Sequence, residues 1–365
     1  MEKIRALIID NDILVRRVFF NVLNSFDALD VRALSDREEI SIVLQEEKVD
    51  VIFINIDNSD TSKNIDFKKL KTLYPSLKIV VTAPRSEKGA KETIEALKNG
   101  AIDFVTKPES NNSILFANNP FRKRLELIVN NIHHLKFGEE NFRFITKSRK
   151  NLGAKKANIV VIGCGSEGVK DLYKVFKYLP ENLDAPILIV PHLPKFYTKK
   201  LAESLNKASY LDTMEVTNGM YIKSGSAYII PGGFHGELVP QNNGCYIRLH
   251  RGQRVNEVRP SIDLTFRSAA KYFSEATLGV FLSGYGHDGF AGARAIKERG
   301  GEVIVQDPRS LFAGKLSHDI IKAGYYDKIC SVESISWEII KRARLRKENI
   351  NLVSPSAKSD ILLQS

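Results

Sequence analysis

The stretch IVVIGCGSEG, residues 159–168, decides the fold of the second half of the chain. Four β-branched residues form a short apolar run, and a turn that contains glycines follows directly. Such a run is typical of a buried strand in a parallel sheet. The apolar runs at 187–190 and 278–282 have the same form. Because the carboxyl ends of parallel strands meet in one crevice, the residues that follow these three runs are expected to lie close together.

A reactive side chain follows each of the three runs. Ser166 lies in the glycine turn, His192 follows the second run, and Asp288 lies in the turn GYGHDG at residues 284–289. In a serine hydrolase an imidazole takes the proton of the attacking hydroxyl, and a carboxylate orients the imidazole. The pattern therefore predicts a nucleophile, a base and an orienting acid. The alternative for Ser166 is a hydroxyl that caps the following turn or helix.

Strand and helix patterns alternate along most of the chain, which indicates the α/β class. Residues 1–136 contain five βα units and predict a doubly wound sheet of parallel strands. Residues 137–157 are polar and basic, so we predict a linker there. The alternation resumes over 158–344, where a β-rich insert interrupts it at about 221–249, and residues 345–365 form a polar tail.

Composition limits the classes of partner and cofactor. The 365 residues carry a formal charge of +11, but the basic clusters lack the aromatic residues and reading elements of nucleic-acid binders, so no nucleic-acid partner is expected. The sequence contains no apolar stretch long enough for membrane insertion and begins without a secretory signal, which favours a cytoplasmic protein. The three cysteines are widely spaced, so free thiols and no structural metal are expected.

The amino-terminal half has polar residues where two of its strands end. Asp10 follows the first strand, and Asn55 ends the third. In a phosphoryl-accepting domain of this topology, carboxylates at these positions hold Mg²⁺ and one of them is phosphorylated. An amide is a weak nucleophile and a poor ligand for a hard cation. We therefore expect no aspartyl phosphorylation at Asn55, no cofactor and at most a weakened Mg²⁺ site, with Asp57 as the alternative acceptor.

This half resembles the receiver domains of response regulators in two-component signalling. The resemblance rests on Asp10 and Asn11 at the acidic pair, Asn55 at the phosphoacceptor, Thr82 at the switch hydroxyl, and AIDFVTKP at 101–108, which contains the conserved Lys107. Asn11 and Asn55 depart from the acidic residues of that family. The segment around Lys107 is most similar to the chemotaxis methylesterase branch.

Residues 158 to about 335 resemble the catalytic domain of chemotaxis protein-glutamate methylesterases, the CheB family. Five segments carry the likeness in the same order, namely 161–168, VPHLP at 190–194, YIIPG at 228–232, RPSID at 259–263 and LSGYGHDG at 282–289. The resemblance implies a hydrolase that demethylates glutamates of chemoreceptors and deamidates receptor glutamines through a Ser-His-Asp triad. It also implies two partners, the methylated chemoreceptors and the chemotaxis histidine kinase.

Alignment with that family places His192 on the base and Asp288 on the orienting acid. Without gaps, Gly165 falls on the serine position, and only a one-residue slip lets Ser166 stand in for the nucleophile. The resemblance also places Gly165, Tyr285 and His235 around the oxyanion site or pocket.

Two other functions remain open on the sequence alone. The first is a catalytically inactive relative that binds chemoreceptors or the kinase as a regulatory module, since Asn55 and Gly165 both replace reactive residues. The second is a dinucleotide-binding enzyme, because Gly163, Gly165 and Gly168 have the spacing of that fingerprint. A dinucleotide site requires an acid at the end of the next strand, where the sequence has His192.

Overall fold

The computed structural model describes residues 2–35, 40–56, 66–107, 119–137, 154–242 and 244–346. The chain forms two compact units, Met1–Asn141 and Phe142–Ser365. Most of the expected linker at 137–157, almost all of the expected tail at 345–365, and Asp57 lie outside the described residues.

The first unit contains a five-stranded parallel sheet. Its strand order is β2-β1-β3-β4-β5, and the pairing of β1 with both β2 and β3 sets Ile9 beside Leu34 and Ile54. The strands are β1 (Ile4–Ile9), β2 (Leu29–Leu34), β3 (Val51–Asn55), β4 (Lys78–Ala83) and β5 (Asp103–Thr106). The chain order reverses between β1 and β3, and ligand sites of doubly wound folds lie at such a point. Asp10 and Asn55 are therefore brought to the place where the sequence predicted a pocket.

Four helices join these strands and a fifth follows β5, namely α1 (Ile13–Asn24), α2 (Ile40–Glu46), α3 (Phe67–Leu73), α4 (Glu87–Lys98) and α5 (Pro120–Phe137). Asp12 caps α1, because its carboxylate accepts from the amides of Leu14 and Val15. Helix α4 begins at Glu87, because the hydroxyl of Ser86 accepts from the amide of Gly89 and caps the helix there.

The second unit contains a seven-stranded sheet whose strands all run parallel, in the order β15-β14-β13-β6-β7-β10-β8. The chain enters at β6 in the middle, builds outward through β7, and returns to β13 on the other side of β6. The strands are β6 (Ile159–Cys164), β7 (Ile187–Pro191), β8 (Asp212–Glu215), β10 (Ser226–Ile229), β13 (Thr277–Phe281), β14 (Glu302–Gln306) and β15 (Lys328–Cys330). The reversal between β6 and β13 places the predicted crevice at the carboxyl ends of these two strands.

The β-rich insert is confirmed as a separate antiparallel sheet of three strands in the order β11-β12-β9. These are β9 (Met220–Tyr221), β11 (His235–Gln241) and β12 (Gly244–His250). The helices of the unit are α6 (Val169–Phe176), α7 (Tyr197–Ala208), α8 (Ile262–Phe273), α9 (Phe290–Glu298), α10 (Lys315–Ala323) and α11 (Val332–Ala343). The expected α/β architecture is thus confirmed in both halves of the chain.

Burial follows the apolar pattern of the strands. Every residue of β6, β7 and β13 is buried, as a parallel sheet covered on both faces requires. Cys164, Cys245 and Cys330 are buried and free, which confirms the expected thiols. Among the residues described, no helix has the length and apolarity needed to cross a membrane.

Candidate functional site

His192 reaches the crevice because of where β7 ends. Cys164 at the end of β6 pairs with Pro191, and the amide of His192 donates to the carbonyl of Cys164 at 2.9 Å. The residue after β7 is thereby fixed beside the residue before the glycine turn. The strand offers no acid at this end, so the geometry that a dinucleotide ribose requires is not present there.

The imidazole of His192 is paired with Asp288. Nε2 lies 2.8 Å from Asp288 Oδ2, and the two side chains are 14% and 2% exposed. In the neutral ring this contact assigns the proton to Nε2, so that Nδ1 is left as the basic nitrogen. No other hydrogen bond joins the ring to a side chain among the residues described. The predicted base and orienting acid therefore lie together.

Asp288 is held as an anion at the start of α8. It accepts from the hydroxyl of Ser261 at 2.7 Å and from the amide of Ile262 at 2.6 Å. Burial by itself would raise the pKa of Asp288, but the hydrogen bonds from His192, Ser261 and Ile262 outweigh it and hold that pKa below its ordinary value. A charged carboxylate at a helix amino terminus also suits the helix dipole.

Asn256 supports this carboxylate and was missed by the sequence analysis. Its amide donates to Asp288 Oδ1 at 3.1 Å and to Asp263 Oδ2 at 3.0 Å. Asp263 in turn accepts from the amides of Gly289 and Gly292 at the start of α9. Burial and the neighbouring Asp288 raise the pKa of Asp263. The amide thus separates two buried carboxyl groups, a role that no sequence motif signals.

The glycine turn after β6 forms a short 3₁₀ segment, Ser166–Gly168. The amide of Gly165 donates to Ser283 O at 2.8 Å, and that of Gly168 donates to Gly165 O at 3.2 Å. Neither amide is left to bind a substrate oxygen. The resemblance implies that main-chain amides of the Gly165 to Gly168 turn form an oxyanion hole, and within this turn the amides of Gly165 and Gly168 are already engaged.

The hydroxyl of Ser166 is buried and donates to Oε2 of Glu167 at 3.1 Å. This is a bond to the neighbouring carboxylate, whereas a triad requires a bond to the base. Glu167 is 1% exposed and was also missed by sequence analysis, since a single acid in a turn carries no motif.

His235 and Tyr285, the two other pocket residues that the sequence named, and the nearby His287 lie in different surroundings. His235 is buried at the start of β11, where its Nε2–H donates to Gln253 O at 2.9 Å, and burial lowers its pKa. Tyr285 is half-buried with its ring edge-on to Phe312. His287 is exposed, and its Nδ1 lies 3.2 Å from Asp319 Oδ2.

The receiver pocket of the first unit is closed by its own side chains. The amide of Asn55 donates to Asp10 Oδ1 at 3.1 Å and to Asn11 Oδ1 at 3.3 Å, and Lys107 Nζ lies 3.3 Å from Asp10 Oδ2. Burial raises the pKa of Asp10, against the opposing effect of Lys107. Thr82 is buried on β4 in register with Asn55.

This donor set does not suit Mg²⁺. A hard cation needs converging oxygens, but N–H donors and an ammonium already face the oxygens of Asp10 and Asn11. No group of three or more acidic, His or Cys side chains suited to a metal occurs within the described parts of the chain.

Known proteins resemble the chain over most of its length. Residues 160–339 match the family model of the CheB methylesterase, and residues 6–117 match that of the response regulator receiver domain. The "Protein-glutamate methylesterase/protein-glutamine glutaminase" of Thermotoga maritima is 33% identical over 342 residues, which covers 93% of this chain and 98% of that protein. The protein of the same name from Trichodesmium erythraeum is 31% identical over 350 residues and covers 94% and 99% respectively.

A solved structure supports the assignment of the second unit. The crystal structure of the Thermotoga maritima CheB methylesterase catalytic domain matches with a TM-score of 0.50 and 35% identity, and covers 51% of this chain and 98% of that one.

Proposed function

We propose a function for this chain, which belongs to the protein-glutamate methylesterase/protein-glutamine glutaminase family. It acts in chemotaxis adaptation, and the crevice around His192 and Asp288 receives the methylated or amidated glutamyl side chains of chemoreceptors. Hydrolysis at this site is slow, because the hydroxyl of Ser166 is held by Glu167. The observation that carries the proposal is the contrast between an intact base–acid pair and a serine engaged elsewhere.

The base–acid pair supplies a defined chemistry. Asp288 fixes the ring through Nε2, so Nδ1 of His192 takes the proton of an attacking hydroxyl. The hydroxyl oxygen then bonds to the ester carbon, and the methoxy group leaves as methanol with the proton from His192. Water hydrolyses the resulting acyl ester by the same route and regenerates the hydroxyl.

Ser166 can attack only after its hydroxyl has left its present hydrogen bond. Its hydroxyl must leave a buried hydrogen bond to Oε2 of Glu167, and the loss of a buried hydrogen bond costs about 1–3 kcal/mol. This cost corresponds to roughly a tenfold to hundredfold loss of rate. We therefore expect this protein to bind methylated receptor side chains but to hydrolyse them slowly.

A methanol-release assay on methylated receptors tests the proposal. The wild-type protein should release methanol slowly, and Ser166→Ala and His192→Gln should each lower the rate further, since triad groups act as a unit. Binding of all three proteins to receptors is measured in parallel and should be similar. Failure of the wild-type protein to bind receptors would contradict the proposal.

A second function, a receptor-binding regulatory module without catalysis, is favoured by Gly165 at the serine position. If this second function is correct, the wild-type protein and Ser166→Ala should release methanol at the same rate, and both should bind receptors.

The chemotaxis histidine kinase is the proposed partner of the receiver unit. It docks there without transferring phosphate to Asn55, because an amide in contact with Asp10 and Asn11 offers no carboxylate to phosphorylate. Transfer of labelled phosphate from the kinase to the wild-type receiver unit would contradict this part of the proposal.

A further inference from the structure

The carboxylate of Glu167 fills the space that a side chain at position 165 would take. A Cβ added to Gly165 would lie 2.3 Å from Oε1 of Glu167, 2.6 Å from its Cδ and 2.6 Å from its Oε2. These distances are far shorter than carbon–carbon or carbon–oxygen contacts in packed proteins. All three atoms of one carboxylate therefore stand where the first atom of a catalytic side chain would be.

The backbone conformation at position 165 does not require a glycine. Its φ of −79° and ψ of −178° are extended and open to any residue. The constraint comes from Glu167, which is buried beside Cys164. Burial raises the pKa of the Cys164 thiol, and the charges of Glu167 and Asp171 raise it further. A buried carboxyl group is thus built into the turn, where the Cβ of a side chain at position 165 would lie.

We propose that Glu167 is a blocking residue, whose carboxylate occupies the nucleophile's position and captures any serine hydroxyl in the turn. This inference rests on the proposed function and deepens it, since it assigns the slow turnover to residues 165 and 167 together. Ser166 already shows the capture, because its hydroxyl donates to Glu167. A serine introduced at position 165 alone meets the same carboxylate.

The blocking carboxylate lies at the end of a flexible side chain, so Gly165→Ser can fold after a small rotation of Glu167. The displaced carboxylate stays within reach of the new hydroxyl and competes with His192 for its proton. A buried hydrogen bond of this kind lowers the fraction of available hydroxyl by about tenfold to hundredfold. Removal of the carboxylate leaves the hydroxyl to donate to Nδ1 of His192.

The test compares the wild-type protein with G165S, G165S/E167A and G165S/E167Q. Two readouts are used, methanol release from methylated receptors and covalent labelling by a fluorophosphonate, whose site is located by peptide mass. In the labelling step the serine oxygen bonds to phosphorus, fluoride leaves, and His192 takes the proton. G165S/E167A should react at least about tenfold faster than G165S, with the label at position 165. G165S/E167Q should react at an intermediate rate, because its carboxamide keeps the size of the side chain and one accepting oxygen.

Three results would overturn the inference. The first is an equal labelling rate for G165S and both double variants, and the second is a label on Ser166 in the double variants. The third is no increase in labelling rate over G165S in a double variant that unfolds in urea like the wild-type protein. E167Q keeps the size of the side chain and so replaces E167A if the smaller residue prevents folding. Fluorophosphonate labelling needs no receptor, so it tests Glu167 even if receptor binding, and with it the proposed function, fails.

Discussion

The amide of Asn256 donates to Asp288 Oδ1 at 3.1 Å, and the same nitrogen lies 3.0 Å from Asp263 Oδ2. Two carboxyl groups that burial crowds together are therefore bridged by one neutral donor. Because Asp288 also holds His192, the position of the proposed base depends on Asn256 as well.

Replacement of this donor by an acid should destabilise the second unit. Asn256→Asp places a third carboxylate against Asp263 and Asp288, and we expect a loss of about 1–2 kcal/mol in the free energy of unfolding at pH 7. Burial and Asp288 already raise the pKa of Asp263, and the new carboxylate should raise it further, so the loss should shrink as pH falls toward 5. Urea unfolding at both pH values measures it.

Asn256→Gly is the matched control, since it tolerates the backbone φ of 50° and removes the amide without adding charge. Its destabilisation should be smaller and nearly independent of pH. Equal pH dependence of the two variants would show that charge repulsion is not the cause.

The receiver pocket should gain a metal site when its amide becomes a carboxylate. Asn55→Asp replaces the N–H donors that face Asp10 and Asn11 with oxygens, which Mg²⁺ prefers. Without Mg²⁺ the variant should lose about 1–3 kcal/mol of stability at pH 7, since burial already raises the pKa of Asp10. Mg²⁺ should restore this stability, and acetyl phosphate should then label the variant.

Two measurements test the effect of Asn55→Asp. They are thermal unfolding with and without Mg²⁺, and labelling by phosphate. The wild-type protein and Asn55→Ala should show neither a shift with Mg²⁺ nor a label. A label on the wild-type protein would mean that another residue, such as Asp57, accepts phosphate.

The thiols should be protected in the folded protein. Burial raises the pKa of Cys245 and of Cys330 to about 11, and it raises that of Cys164 as well. Because the thiolate is the reactive form, a disulfide reagent at pH 8 should modify none of them while the protein is folded and all three after denaturation. The rates in the folded protein should rise with pH. Rapid modification of Cys164 at pH 8 would contradict its burial beside Glu167.

Sequence patterns predicted the sheets and the pairing of His192 with Asp288, because apolar runs and parallel-strand topology are local signals with a fixed spatial consequence. The roles of Glu167 and Asn256 could not be predicted in this way. Each depends on where a side chain points after the chain has folded, and neither belongs to a motif. The same limit applied to Ser166, because the sequence alone did not show that its hydroxyl donates to Glu167.

The proposed function depends on two observations, the pairing of His192 with Asp288 and the hydrogen bond from the Ser166 hydroxyl to Glu167. The most direct measurement is the single-turnover rate of methanol release from one methylated receptor, with this protein and the Thermotoga maritima relative compared under identical conditions. We expect the rate of this protein to be lower than that of the relative by about tenfold to hundredfold or more, and the two proteins to bind the receptor with similar affinity. A rate equal to that of the relative, and abolished by Ser166→Ala, would contradict it.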